Sequence, residues 1–310
     1  MRICLMIEGQ ENVIWNQWRA LAAACEEHGL EGLFRSDHYA GLMGDEERGS
    51  LDAWATLAGL AGLTTRIRLG TMVSPATFRH PSELAKVVAT VDHISGGRVE
   101  LGLGAGWNER EHRAYGFPFP DLAERLERFA EQLEIVHREW TEDELDFEGR
   151  YYQLERLRAL PKPVQRPRPR LIVGGSARRG TVEPAVRFAD EYNTTFPTVD
   201  DCRERRRRLD EACERAGRDP ATLAFSIMTG TVVGADRDEL LGRVRRVMDR
   251  MGAEGEPDNF LRERGDQMIV GTPDEVRGRL AEYEAVGVER VFAQHLAHDD
   301  VDMVALLGAL

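Results

Sequence analysis

The chain has 310 residues, of which 42% are hydrophobic, and its formal net charge is −13 at pH 7. This length accommodates two average domains or one β/α barrel, and the apolar fraction is sufficient for a large core. The negative charge argues against nucleic acid or an anionic membrane as the main partner. We therefore expect no nucleic acid and no membrane as a partner, although acidity alone says little more about function.

The cysteines and the N-terminus indicate a cytoplasmic protein. Cys4, Cys25, Cys202 and Cys213 show no CxxC spacing and are interpreted as free thiols in a reducing compartment. No segment has the roughly 18 apolar residues that span a bilayer, and the N-terminal sequence MRICLMIEG lacks the features of a signal peptide. The histidines show no metal-ligand spacing such as HExxH, so no metal site is expected.

Strand-like and helix-like segments alternate along the chain. In the first half, the apolar pattern predicts strands at residues 2–7, 32–35, 67–73 and 99–103. Helices are predicted between and after them, at residues 15–28, 51–63, 81–94 and 121–140. Residues 141–160 break this rhythm, because the acidic EDELD followed by FEGRYYQL indicates a hairpin or an extended insertion.

The second half continues the alternation. Strands are predicted at residues 171–173, 191–195, 223–233 and 291–294. Helices are predicted at residues 181–188, 200–216, 240–251, 272–286 and 301–310, with an irregular acidic, glycine-rich stretch up to residue 265. Eight strands in alternation with helices predict one closed (β/α)8 barrel domain over residues 1–310, with an insertion at 141–160.

An open doubly wound sheet is the alternative architecture. Its GxGxxG fingerprint should follow the first strand, but Glu8-Gly9-Gln10 stands at that position. In either fold, the chemistry is expected where parallel strands end.

Two strand ends carry residues suited to proton transfer or to a ring-shaped ligand. After the second strand, Asp37 offers a carboxylate and His38 an imidazole that can move a proton near neutral pH. The alternative is that Asp37 caps a loop and His38 only packs. After the third strand, residues 71–75 turn sharply and either support a planar ring or form an ordinary turn.

Two further strand ends are rich in small residues. In residues 104–106 they permit a close approach of the backbone to a large flat ligand, and Trp107 either walls a ring pocket or belongs to the core. Residues 174–176 run into a helix, so backbone N–H groups can cradle a phosphate with Arg178 or Arg179 as the counter-charge.

Four segments in order resemble the bacterial luciferase-like family of flavin- and deazaflavin-dependent oxidoreductases. They are EEHGLEGLFRSDHY, RIRLGTMVSPATFRHPSELAKVVATVDHISGGRVELGLGAGWNEREHRAYG, RPRLIVGGSARRGTVEPAVRFADEYN and MIVGTPDEVRGRLAEYEAVGVERVF. The resemblance covers nearly the whole chain. It implies the same (β/α)8 barrel and, since relatives are often dimers, a homodimer.

The resemblance also implies roles for single residues. A bulge with a non-proline cis peptide, placed at Met72-Val73, would support the cofactor ring, and His38 would be the catalytic proton donor or acceptor. The other residues assigned to the cofactor are Asp37, Ser74, Ala105, Gly106, Gly174, Gly175, Ser176 and Arg178. Glu8, Trp107 and Gln294 are assigned to the substrate.

One departure from the family pattern limits the mechanism. Sugar-phosphate dehydrogenases of the family place a carboxylic acid after the GxGxG turn, where this chain has Trp107. Their two-group acid–base scheme is therefore not expected here.

The resemblance leaves the cofactor open between two candidates. Coenzyme F420 with hydride transfer is preferred, because the Ser36-Asp37-His38 segment looks most like deazaflavin-dependent members. The alternative is an FMN-dependent monooxygenase that uses O2 and receives reduced FMN from a partner reductase. A second alternative is a non-catalytic flavin-binding barrel.

Overall fold

The computed structural model describes residues 1–43 and 47–310. Twelve strands lie in this part of the chain: β1 (Arg2–Ile7), β2 (Gly32–Arg35), β3 (Arg68–Thr71), β4 (Ser74–Pro75), β5 (Val99–Gly104), β6 (Leu145–Glu148), β7 (Gln153–Leu157), β8 (Arg170–Gly174), β9 (Glu191–Thr195), β10 (Ala224–Val233), β11 (Ile269–Gly271) and β12 (Arg290–Gln294). The helices of the same residues are α1 (Trp15–Glu27), α2 (Ala53–Ala61), α3 (Pro81–Ser95), α4 (Glu109–Tyr115), α5 (Leu122–Thr141), α6 (Arg179–Phe188), α7 (Val199–Arg215), α8 (Arg237–Met251), α9 (Pro257–Arg264), α10 (Pro273–Glu284) and α11 (Val301–Gly308).

Eight parallel strands close into a barrel, which confirms the predicted (β/α)8 fold. The order around the ring is β1, β2, β3, β5, β8, β9, β10 and β12, and the pairing of β12 with β1 closes it. In that last pair, Arg2 lies opposite Arg290 and Met6 opposite Gln294. Because all these strands run the same way, their carboxyl ends form one mouth, which is where such barrels carry their sites.

The two ends of the barrel interior differ in chemistry. At the amino-terminal end of the strands, the buried guanidinium of Arg290 donates to Glu100 at 2.7 Å and to Glu191 at 3.2 Å. Toward the mouth, the interior is an apolar cluster of Cys4, Met6, Phe34, Met72, Ile172, Met228 and Phe292. The charged residues therefore fill the end of the barrel opposite the mouth, and the apolar cluster lies between them and the mouth.

Most predicted elements are present with small shifts at their ends. The predicted third strand is interrupted: β3 ends at Thr71, and the two-residue β4 follows after Met72 and Val73. The insertion is an antiparallel hairpin of β6 and β7. The sequence analysis missed α4, the short strand β11 and α9, the last of which lies in the stretch predicted as irregular.

Local chemistry sets several helix ends. The Asp121 carboxylate accepts the N–H of Glu124 at 2.9 Å and so begins α5. Helix α3 ends at Gly96, whose φ of 66° is readily adopted by glycine. None of the described helices is long and apolar enough to cross a membrane.

Candidate active site at the barrel mouth

The bulge between β3 and β4 has the predicted backbone. The Met72-Val73 peptide bond is cis, and neither residue is proline. Met72 is buried in the apolar cluster beneath the mouth, and the half-buried Val73 packs against the same cluster. These two residues therefore form part of an apolar surface at the mouth, and their contact with a cofactor ring stays a prediction.

The glycines of β5 and β8 lie against Val73. A β-carbon on Gly104 would lie 2.7 Å from Val73 Cγ2, and one on Gly174 would lie 3.1 Å from Val73 Cγ1. At Gly104 a side chain of the bulge fills the space that a β-carbon needs, and at Gly174 the fit is tight. The sequence analysis attributed these small residues to a ligand, which stays a prediction. At Gly106, φ is 81° and a β-carbon would lie 2.7 Å from Thr77 Oγ1.

Asp37 is buried in an ion pair beside the mouth. Its Oδ2 accepts the Arg79 Nη1 proton and the Ser74 hydroxyl proton, each at 2.6 Å, and its Oδ1 accepts from Arg79 Nη2 at 3.3 Å. With 1% of its surface exposed, both carboxylate oxygens are engaged within the protein. Asp37 and Ser74 are thus brought together as predicted, while a contact of either with a cofactor stays a prediction.

His38 pairs with a glutamate that the sequence analysis did not select. Its Nδ1 lies 2.7 Å from Oε2 of Glu111, whose side chain has no exposed surface, and the His38 side chain is 11% exposed. The Trp107 ring lies 5.8 Å from the His38 ring in an edge-on arrangement. Because Trp107 is 66% exposed, its alternative assignment to the core is wrong.

The electrostatics of this pair favour a charged imidazole. Burial by itself lowers the pKa of His38, but the hydrogen bond and charge of Glu111, with the charges of Glu8 and Asp37, outweigh it and raise the pKa. Burial raises the pKa of the Glu111 carboxyl, but the His38 contact and two backbone N–H groups outweigh it and lower the pKa. The pair therefore holds an imidazole at the mouth whose protonated form is favoured.

The substrate residues predicted at the ends of the first and last strands contact each other. Gln294 Nε2 donates to Glu8 Oε1 at 2.6 Å, and Gln10 Nε2 donates to Glu8 Oε2 at 2.8 Å. All three side chains are buried. The β12–β1 pairing that closes the barrel brings them together, although 286 residues separate Glu8 from Gln294.

In the loop after β8, where a phosphate cradle is predicted, two backbone N–H groups are already bonded within the protein. The Gly175 N–H is bonded to Asn193 O at 3.0 Å and the Ala177 N–H to Tyr192 Oη at 2.9 Å. The N–H groups of Ser176 and Arg178, both exposed, make no hydrogen bond to any described residue. These two donors, at the start of α6, are suited to an anion.

Ala105 and the Arg178 side chain take no part in the hydrogen bonds described above. The half-buried Ala105 packs against the core between the barrel and the helices. Arg178 starts α6 without a side-chain cap bond, while its neighbour Arg179 pairs with Glu183 at 2.8 Å. No group of three metal-ligating side chains lies close together in residues 1–43 and 47–310.

The sequence analysis missed Glu111, Arg79 and Gln10. Arg79 donates hydrogen bonds to Asp37, and Gln10 donates one to Glu8. The sequence analysis did select Asp37 and Glu8. Glu111 lies on α4, and the Asn108 side chain accepts its N–H at 3.4 Å as the cap of that helix. The asparagine cap was the available signal, since a polar residue before an acidic first turn marks a helix start.

A closed parallel barrel with a buried His–Glu pair at its mouth has the architecture of a (β/α)8 enzyme. The model of the family described as luciferase-like monooxygenase matches residues 6–290. The chain belongs to this family, and it is an oxidoreductase.

Three similar proteins illustrate the range of the family. An F420-dependent glucose-6-phosphate dehydrogenase of Nakamurella multipartita is 28% identical over 93% of this chain and 89% of its own. An FMNH2-dependent dimethylsulfone monooxygenase of Pseudomonas putida is 26% identical over 90% of this chain and 82% of its own. The solved monooxygenase RslO1 of Streptomyces bottropensis shares the fold, with a TM-score of 0.83 and 24% identity over 100% of this chain and 98% of that one.

Proposed function

We propose that the protein binds coenzyme F420 and catalyses hydride transfer to or from a small organic substrate. The observation that carries this proposal is the contact between His38 and Glu111, because it gives the mouth a group that can move one proton along with a hydride. The F420-dependent relative from N. multipartita supports the choice of cofactor. The sugar phosphate of that relative is not carried over, because Trp107 stands where the resemblance leads us to expect an acid.

The residues present fit a ring-bearing cofactor with a phosphate. Met72 and Val73 offer an apolar surface to a ring, and the N–H groups of Ser176 and Arg178 are free to meet a phosphate. Gly174 connects the two regions, since it packs against Val73 and directly precedes the loop proposed to bind the phosphate. A bound deazaflavin would supply the hydride chemistry, which no side chain of this mouth offers.

The chain's own residues have three tasks in this proposal. Met72 and Val73 hold the ring at the mouth and keep water from one side of it. His38 gives a proton to the reduced substrate or takes one from a substrate that is oxidised. Glu8, with both carboxylate oxygens held by glutamine amides, orients the substrate through its charge.

An FMN-dependent monooxygenase is the second candidate. The observation that favours it is the FMNH2-dependent relative from P. putida, which aligns over 90% of this chain. In that case reduced FMN would come from a separate reductase, and the reaction would consume O2. Both candidates use the same ring surface and phosphate loop.

Turnover with and without oxygen separates the two candidates. The purified protein is titrated with F420 and with FMN, followed by absorbance, and is then assayed against alcohols, imines and sulfones with each reduced cofactor. We expect F420 to bind and its turnover to persist without oxygen. Absence of F420 binding together with oxygen-dependent turnover of reduced FMN would replace this proposal with the monooxygenase.

A variant of the proton carrier tests the mechanism. His38→Ala should retain the cofactor and lose turnover by about 10²-fold or more, because general acid–base catalysis contributes that much. Unchanged turnover would remove His38 from the mechanism. We also propose a homodimer, which light scattering of the purified protein would test.

A further inference from the structure

The two oxygens of the buried Glu111 carboxylate have different partners. Oε2 contacts His38 Nδ1 at 2.7 Å. Oε1 accepts the backbone N–H groups of the next two residues, Tyr39 and Ala40, the latter at 3.1 Å. One carboxylate on α4 therefore holds both the imidazole and the backbone that follows it, although 73 residues separate Glu111 from His38.

This arrangement decides which imidazole nitrogen is free. An ionised carboxylate only accepts hydrogen bonds, so the Nδ1 of His38 must carry a proton wherever it contacts Glu111. The other nitrogen, Nε2, makes no hydrogen bond to any described residue. When one ring nitrogen is held in this way, the other becomes the atom that exchanges protons.

The charged groups around His38 come from three parts of the fold. Glu111 faces it from α4, Glu8 from the end of β1, and Asp37 from its own segment. The charge of Asp37 is already balanced by the ion pair with Arg79, while no described cation forms an ion pair with Glu111 other than His38 itself. Glu111 is therefore the group whose removal changes the surroundings of His38 most.

We infer that Glu111 is the positioning residue of the site: it fixes His38 with Nδ1 protonated and leaves Nε2 to exchange a proton with the substrate. The inference rests on the proposed function in that it takes His38 as the proton carrier. Glu111 itself has no contact with the reacting atoms in this scheme and acts through His38.

The chain offers a matched control in Glu11. This carboxylate is also fully buried and holds the same connection after β2, because it accepts the N–H groups of Leu42 at 2.8 Å and Met43 at 3.2 Å. It has no contact with His38 among the described residues. Glu11→Gln therefore disturbs the loop in a similar way and leaves the imidazole partner in place.

The test is an NMR titration of the protein without cofactor, with 15N-labelled histidine and His38 assigned by its absence in His38→Gln. In the wild type we expect protonated Nδ1 at all pH values and proton exchange at Nε2. Glu111→Gln should lower the pH at which His38 titrates and mix its tautomers. In Glu111→Asp, the pH at which His38 titrates should lie between those of Glu111→Gln and the wild type. In Glu11→Gln it should equal the wild-type value.

Three results would overturn the inference. One is a wild-type His38 that is neutral with Nε2 protonated, and this result needs no variant to fold. The second is a Glu111→Gln protein whose His38 titrates like the wild type. The third is an equal shift in Glu11→Gln. Failure of the proposed function is seen separately, as the absence of F420 and FMN binding by the wild type, since the titration is measured without either.

Discussion

The side chain of Val73 occupies the space that a β-carbon on Gly104 would need, since such an atom would lie 2.7 Å from Val73 Cγ2. Gly102 and Gly174 leave room for the same side chain, with distances of 3.0 and 3.1 Å to Cγ1. Val73 thus packs directly on the backbone of two neighbouring strands, β5 and β8. The bulge therefore fits inside the barrel with glycine at position 104, and it packs tightly against Gly174.

Gly104→Ala should therefore destabilise the protein. The added methyl group has no free volume beside Val73, and inserting a carbon into a packed core costs about 1–3 kcal/mol. Urea denaturation followed by circular dichroism measures the loss in the free energy of unfolding. Adding Val73→Ala to this variant should recover part of the loss, because it removes the atoms that clash.

Gly242→Ala is the matched control for that measurement. Gly242 is exposed in the middle of α8, and a β-carbon there would meet nothing within 4 Å. Alanine in a helix interior should raise the stability by about 0.5–1 kcal/mol. Equal effects of the two alanine substitutions would contradict the packing of Val73 on β5.

The barrel could be predicted from the sequence because its strands are short buried runs between turn residues. The predicted bounds of β1, β2 and β9 agree with the structure. The helices that were missed, α4 and α9, have only seven and eight residues. Both are mostly charged or polar, EREHRAY and PDNFLRER, so they lack the apolar period that made the equally short α11 predictable.

Site residues could be predicted only where they stand at the end of a predicted strand. Asp37, His38 and Ser74 each stand at such an end, and all three lie at the mouth. Their partners follow from tertiary packing instead: Glu111 lies 73 residues from His38, and Arg79 lies 42 residues from Asp37. The packing of Val73 against the glycines of β5 and β8 likewise depends on the neighbouring strands. No local sequence pattern predicts it.

The ion pair of Asp37 with Arg79 gives a second prediction. Asp37→Asn should lower the free energy of unfolding by about 3 kcal/mol, because removing the buried carboxylate leaves the largely buried Arg79 with only the exposed Asp52 as a counter-charge. Denaturation gives the stability, and titration with F420 and FMN gives the affinity. A large loss of affinity with little loss of stability would mean that the carboxylate serves the cofactor directly.

Asp52→Asn controls for the other ion pair of Arg79. Asp52 contacts Arg79 at 3.1 Å, but its side chain is exposed, and the asparagine can still cap α2. An exposed pair of this kind contributes about 0–1 kcal/mol. Asp37→Asn should thus lose more stability than Asp52→Asn, although each variant removes one carboxylate partner of Arg79.

The loop after β12 predicts a pH dependence of stability. Burial lowers the pKa of His295 to about 4, against about 6.5 for a solvated histidine. Between these values the unfolded chain binds the extra proton and the folded chain does not. The free energy of unfolding should therefore fall as the pH drops from 6.5 to 4, by up to about 3 kcal/mol from this group.

His295→Gln isolates that contribution. The glutamine amide can replace the Nε2–H that His295 directs at Asp300 O, 3.0 Å away, and it does not titrate. Urea denaturation from pH 7 to 4.5 should show a slope reduced by about 1.4 kcal/mol per pH unit relative to the wild type. An unchanged slope would mean that His295 is protonated in the folded protein.

The loop after β8, proposed to bind the cofactor phosphate, gives the last prediction, which compares ligands that differ only in their phosphate-bearing part. Arg178→Gln should weaken FMN about 10-fold relative to the wild type, the size of one charged hydrogen bond, and leave riboflavin unchanged. Likewise, Arg178→Gln should weaken the binding of F420 and leave that of its phosphate-free deazaflavin fragment unchanged. Arg179→Gln is the control, because that side chain is already paired with Glu183 at 2.8 Å. If Arg178→Gln weakens riboflavin as much as FMN, or if Arg179→Gln weakens FMN equally, the Arg178 side chain does not bind the phosphate.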